Sequence, residues 1–104
     1  MSMVKATFYL PLADNDGRNL AAEISDVEDR CYELFGAWTA AGFFKGAWRM
    51  GTGQRRIDTS AVYVVVIEEA QVKLLVELLR EFKSRTTQEA IYLEVERDVD
   101  VRFI

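Results

Sequence analysis

Residues 61 to 67 read Ala-Val-Tyr-Val-Val-Val-Ile, a β-branched run with no charged residue in it. Seven residues suit a strand better than a helix. A stretch that is apolar on both of its alternating faces belongs in the middle of a sheet, covered front and back. A chain that contains it needs paired strands on either side and at least one layer laid over them. Upstream, the glycine-rich segment 46–56, "GAWRMGTGQRR", separates it from an earlier strand at 43–49, so 43–68 reads as a hairpin. Downstream, Val72, Leu75, Val76, Leu79 and Phe82 recur at helical spacing across 69–84, with Lys73, Glu77, Arg80, Glu81 and Lys83 on the outer side.

The remaining elements fall around that hairpin. Residues 3–10 form a strand in which Ala6, Phe8 and Leu10 alternate with Lys5, Thr7 and Tyr9, and Pro11 closes it. "LADNDGRN" is a loop, because Asn15, Asp16 and Gly17 tolerate turn geometry. Ser25 and Glu28 have capping-box spacing, which predicts a helix over 26–40 with an earlier turn in "LAAEI" and Gly42 as its stop. "EAIYLEV", residues 89–95, is a fourth strand and "VDVRFI", 99–104, an extra fifth. The order is a single α+β domain over 1–104, a ferredoxin-like β-α-β-β-α-β two-layer sandwich with an added C-terminal strand. Both helices cover one face of the sheet, and the other face is left bare.

Composition removes several chemistries. The chain has no histidine and one cysteine, Cys31, so it has no His-based triad or dyad, no cysteine metal cage and no internal disulfide. No catalytic residue is assigned, and no metal or cofactor is expected. A net charge of -4 argues against nucleic acid and anionic membrane surfaces as partners. No apolar run approaches the roughly 20 residues that span a bilayer, and a secretory leader is not evident, so the expected location is cytoplasmic.

Three places can carry chemistry. The 46–56 loop holds Trp48, Arg49, Arg55 and Arg56 among glycines, a composition suited to a small anion; its plain reading is a hairpin turn with solvated arginines. Its spacing matches neither the P-loop nor the dinucleotide fingerprint. The bare sheet face carries Tyr9, with Tyr63 and Tyr92 expected beside it. A face of that kind fits burial against a second copy of the chain better than it fits stacked RNA bases, since Glu94 and Glu96 lie nearby. Gln88 and Glu89 follow the second helix at a loop, where a buried Glu89 would serve as a base and unburied ones would bond local backbone. "DNDG" before Glu23 echoes part of a calcium loop, but Leu12 occupies the first ligand position, which favours a turn. Cys31 lies on the apolar stripe of the first helix and reads as a core residue.

"SDVEDRCYELF", "GAWRMGTGQRRIDTSAVYVVV" and "LLREFKSRTTQEAIYLEV" resemble a family of small bacterial proteins of unknown function. The resemblance covers residues 24–95 and rests on Gly46, Trp48, Gly53, Ser60, Phe82, Gln88 and Glu89. It implies a ferredoxin-like fold and no established activity. The expectation is therefore a non-enzymatic, homodimeric binding or interaction module that takes a small anionic ligand near the 46–56 loop. The alternative is a small enzyme with a cleft between sheet and loop, using Glu89 or Asp58 as base, Tyr63 or Tyr92 as acid and an arginine for developing charge.

Overall fold

The structure is a computed structural model and describes residues 2–104. Strand β1 (Met3–Pro11) is followed by helix α1 (Ala21–Phe35), strands β2 (Thr39–Arg49) and β3 (Arg55–Glu68), helix α2 (Val72–Ser84) and strand β4 (Leu93–Glu96). A single 3-10 turn, Glu69–Gln71, leads into α2, where the apolar spacing predicts one helix over 69–84. The sheet order is β2-β3-β1-β4 and every pair is antiparallel. The expected ferredoxin-like α+β sandwich is what the chain forms. No helix of the described residues is long and apolar enough to cross a membrane.

The core follows from strand alternation. Val4, Ala6, Phe8 and Leu10 of β1 are buried together with Ala61, Tyr63, Val65 and Ile67 of β3, and the two sets face each other across the ladder. Onto this side pack Ile24, Val27 and Cys31 of α1 and Leu75, Leu78, Leu79 and Phe82 of α2. Both helices therefore share one face. Burial, and secondarily the charge on Glu28, pushes the Cys31 thiol up to about 11, so it stays protonated as a core side chain.

Several boundaries differ from expectation. Helix α1 spans 21–35 rather than 26–40, with the Asn19 side chain accepting from Ala21 N–H at 2.8 Å near its start. Ser25 and Glu28 consequently lie inside the helix and form no cap. The helix ends at Gly36, whose φ of 82° supplies the left-handed residue expected of Gly42. Gly42 serves the sheet instead, since β2 begins at Thr39 and a register shift falls between Ala40 and Gly42, where a φ of 117° accommodates the bulge. Trp38 lies beyond the helix, with its ring edge against Tyr63 at 5.8 Å. Strand β4 is shorter than 89–95, and residues 99–104 form no strand.

Candidate functional site

The open face of the sheet and the base of the β2–β3 hairpin meet the 88–92 segment, and between them lies a cleft of about 470 Å3. Its walls include Tyr9, Phe44, Trp48, Asp58, Gln88 and Tyr92, together with Lys45 and Ser60. The residues arrive there by pleating. Tyr9 alternates with the buried Phe8 and Leu10, and so faces away from the helices. Phe44 pairs with Ser60, Gly46 with Asp58 and Trp48 with Arg56, which sets these side chains on the same face in sequence along the hairpin. Tyr9 and Tyr92 stack with centroids 4.4 Å apart, and Phe44 meets Tyr9 edge-on at 5.5 Å. The Tyr92 hydroxyl donates to Glu94 at 3.1 Å, and that bond, more than the nearby charge, raises its pKa.

Three polar residues of the wall, Trp48, Asp58 and Gln88, are held by hydrogen bonds. The Trp48 indole N–H donates to Asp58 Oδ2 at 2.8 Å, and Arg56 Nε donates to the other oxygen of the same carboxylate at 3.0 Å. The remaining guanidinium nitrogens of Arg56 donate to the backbone oxygens of Asn15 and Asp14, at 3.1 and 2.9 Å. Gln88 is buried, and its amide nitrogen donates to Asp14 Oδ1 at 3.1 Å. Two walls of the cleft thus converge on Asp14.

Asp14 is fully buried. Its carboxylate accepts from the backbone N–H groups of Asn15 and Thr87, the Thr87 hydroxyl at 2.6 Å, Gln88 and Arg18. Burial pushes its pKa up, but the Thr87 hydroxyl and N–H, the Asn15 N–H and the Gln88 amide together outweigh that and hold it well below the usual carboxylate range. Arg18 also bonds Glu23 at 3.2 Å and the carbonyl of Arg85 at 3.0 Å, which ties the 12–19 loop to the end of α2. The "DNDG" segment is therefore a tethered turn with Gly17 at φ 87°, in keeping with its plain reading. Among the described residues no cluster of three or more acidic or cysteine side chains could hold a metal ion.

The residues singled out from sequence separate into two groups. Trp48, Gln88, Tyr9 and Tyr92 come together in the cleft. Arg49 and Arg55 do not: they pair across the outer end of the hairpin, both exposed. The tip itself closes through Gly53 N–H to Met50 O and Met50 N–H to Gln54 O, both 2.8 Å, with Gly53 at φ 87°. Arg56 is near the cleft but engaged by internal partners. Glu89 lies outside it, with both carboxylate oxygens accepting from Gly51 N–H at 3.1 and 3.2 Å. Gln88 and Glu89 thus bond distant loops instead of local backbone. Tyr63 is a correction: it pairs with Phe8, stacks on it at 5.6 Å and lies in the core under the helices. Its hydroxyl donates to Glu28, and burial followed by that bond raises its pKa. Asp14, the hub, was marked in the sequence only as the first residue of the "DNDG" turn.

The fold recurs among solved structures. A phage SAM lyase in complex with S-methyl-5'-thioadenosine superposes with a TM-score of 0.66 at 14% identity, over 92% of this chain and 81% of that one. The divalent ion tolerance protein CutA1 from Ehrlichia chaffeensis gives a TM-score of 0.65 at 5% identity, over 97% of this chain and 85% of its own. At such identities the likeness is one of fold. No family model matches the chain, and no curated protein matches it in sequence.

Proposed function

We propose that the chain is a self-associating binding module that takes a small, flat, neutral ligand of the nucleoside type in the cleft beside Trp48. The observation that carries this reading is the convergence of Tyr9, Phe44, Trp48 and Tyr92 on one cleft of about 470 Å3 with a few fixed polar groups among them. That size and that mixture, mostly aromatic with few polar anchors, are those of small-molecule sites. A purine offers a broad apolar face to such walls and hydrogen-bonding atoms at its rim. The phage lyase with the same fold holds S-methyl-5'-thioadenosine, which has both a purine and an apolar thioether. The anionic ligand expected from the arginines has less support, because Arg56 is engaged internally and Arg49 and Arg55 do not line the cleft.

Self-association is supported by β2. It lies at the edge of the sheet, and ten of its eleven residues are exposed, including Phe43 and Phe44. Ile57 of β3 is exposed as well. A long open edge strand carrying apolar side chains is ordinarily covered by another chain. An enzymatic role has weaker grounds: Glu89 and Tyr63 lie outside the cleft, and both oxygens of Asp58 already accept a hydrogen bond. Sedimentation of the purified chain at micromolar concentration is expected to give a dimer or larger species, and a monomer would remove self-association. Thermal melting with millimolar S-methyl-5'-thioadenosine is expected to raise Tm, since a ligand bound only by the folded state stabilises it; an unmoved Tm would remove the ligand class.

A further inference from the structure

Gln88 is the cleft residue whose orientation the fold leaves no freedom to change. Its amide nitrogen faces the Asp14 carboxylate at 3.1 Å. An ionised carboxylate only accepts, so the nitrogen must be the end turned toward it. Rotating the amide would set its oxygen against Asp14, an acceptor against an acceptor inside the protein. The backbone at 88 is fixed as well, with its N–H donating to Thr86 Oγ1 at 3.3 Å. Asp14 cannot relax to suit a turned amide, because Asn15, Thr87 and Arg18 already hold it.

The oxygen of Gln88 is therefore the end left for the cleft. Among the described residues no donor reaches it, and it is not among the fully enclosed polar atoms that lack a partner. Asp58, the other strong acceptor on the wall, already has one donor on each oxygen. Gln88 thus contributes a fixed acceptor to a largely aromatic cleft whose other polar side chains include Asp58, Lys45 and Ser60. Resting on the ligand reading above, we propose that Gln88 determines specificity there by selecting rings that carry an exocyclic amine, and that Asp14 is the positioning residue that holds its amide oxygen toward the ligand. A ring bearing a carbonyl at that position would bring two acceptors together. In a free glutamine the amide would turn over to donate; here it cannot.

The test compares 5'-methylthioadenosine with the 5'-methylthio riboside of unsubstituted purine, which differs only in lacking the exocyclic amine. Calorimetric titration of the wild-type chain is expected to favour the amine by about tenfold or more, the scale of one unmatched buried hydrogen-bonding group. Gln88→Met keeps the side chain's length and removes the acceptor, so the preference should fall to near parity while both probes still bind. Equal binding of the two probes by wild type, or an undiminished preference in Gln88→Met, overturns the assignment while leaving the cleft reading intact. Binding of neither probe overturns both. A variant-free measurement covers the case in which Gln88→Met does not fold. The wild-type side-chain NH2 of Gln88 should exchange slowly with solvent and shift little when the amine probe binds. Fast exchange, or an NH2 signal that tracks the ligand, would mean the amide points the other way and would sink the proposal.

Discussion

The tip of the β2–β3 hairpin and the junction of the 12–19 loop with residues 85–88 are both polar, irregular and rich in charge, yet they are physically unlike. At the tip, Arg49 and Arg55 face one another across the strand ends, with no ion pair to an acid among the described residues, and the backbone closes through its own turn. At the junction, one carboxylate is withdrawn from water and accepts from three residues besides a guanidinium. The first arrangement costs little and organises little. The second takes on a large desolvation cost and offsets it only when every donor is in place. A concentration of charge in sequence marks solvation more readily than chemistry; a site is built where a charge has been removed from solvent and given partners.

The largest test of this contrast is deletion of the buried carboxylate. Asp14→Ala leaves the Thr87 and Asn15 N–H groups, the Gln88 amide and part of Arg18 without their acceptor. The expected loss is about 3 kcal/mol or more, the range for breaking a buried, hydrogen-bonded charge. In a chain of this size that is a fall in Tm of more than about 10 °C. Arg49→Glu and Arg55→Glu, by comparison, should each stay within about 0.5 kcal/mol, as surface changes do. Equal effects at the two places, measured by thermal or urea unfolding, would erase the distinction.

Acid sharpens the same comparison. Asp14 has a folded-state pKa below its unfolded value, so its contribution to stability is complete above the unfolded pKa and is lost as pH falls through the folded one. The wild-type advantage over Asp14→Asn should therefore be full at neutral pH and shrink as the pH drops below about 4. Melting curves of the two proteins recorded from pH 7 downward check this. A gap that persists unchanged into strong acid would mean that the carboxylate's charge contributes nothing.

Much of the fold was legible because burial writes itself into alternation. Ala6, Phe8 and Leu10 could face only one way, and the 61–67 run could only be an inner strand. The same run hid the phase of Tyr63: when both faces are apolar, nothing local says which side a residue takes. The pairing of Phe8 with Tyr63 decides it, and that is a long-range fact. The bounds of α1 were obscured by the competition between two glycines and by a Ser25–Glu28 pair with cap spacing whose glutamate in fact accepts from Tyr63. Within the site, Trp48 and Gln88 could be noticed as unusual residues beside a turn. Asp14 could be noticed only as part of the "DNDG" turn; its role as a hub was hidden, because an aspartate in a polar loop looks like any other until the chain brings Thr87 and Gln88 to it across more than seventy positions.

A small and local effect is expected where the two regions touch. Glu89 follows Gln88 directly, but its carboxylate reaches the hairpin tip and accepts from Gly51 N–H through both oxygens. The contact is exposed, so water competes for it, and Glu89→Ala should cost less than about 1 kcal/mol in global stability. Its effect should instead be local. Without that acceptor the Gly51 amide loses its partner, and hydrogen exchange at Gly51 should quicken while core amides such as those of Val65 and Leu79 keep their rates. Arg55→Glu, a few residues away along the same hairpin, should leave the Gly51 rate alone. If Glu89→Ala slowed nothing and quickened nothing at the tip, the hairpin would be positioned by Arg56 and Trp48 at its base alone, and the cleft would owe its shape entirely to the Asp14 side of the molecule.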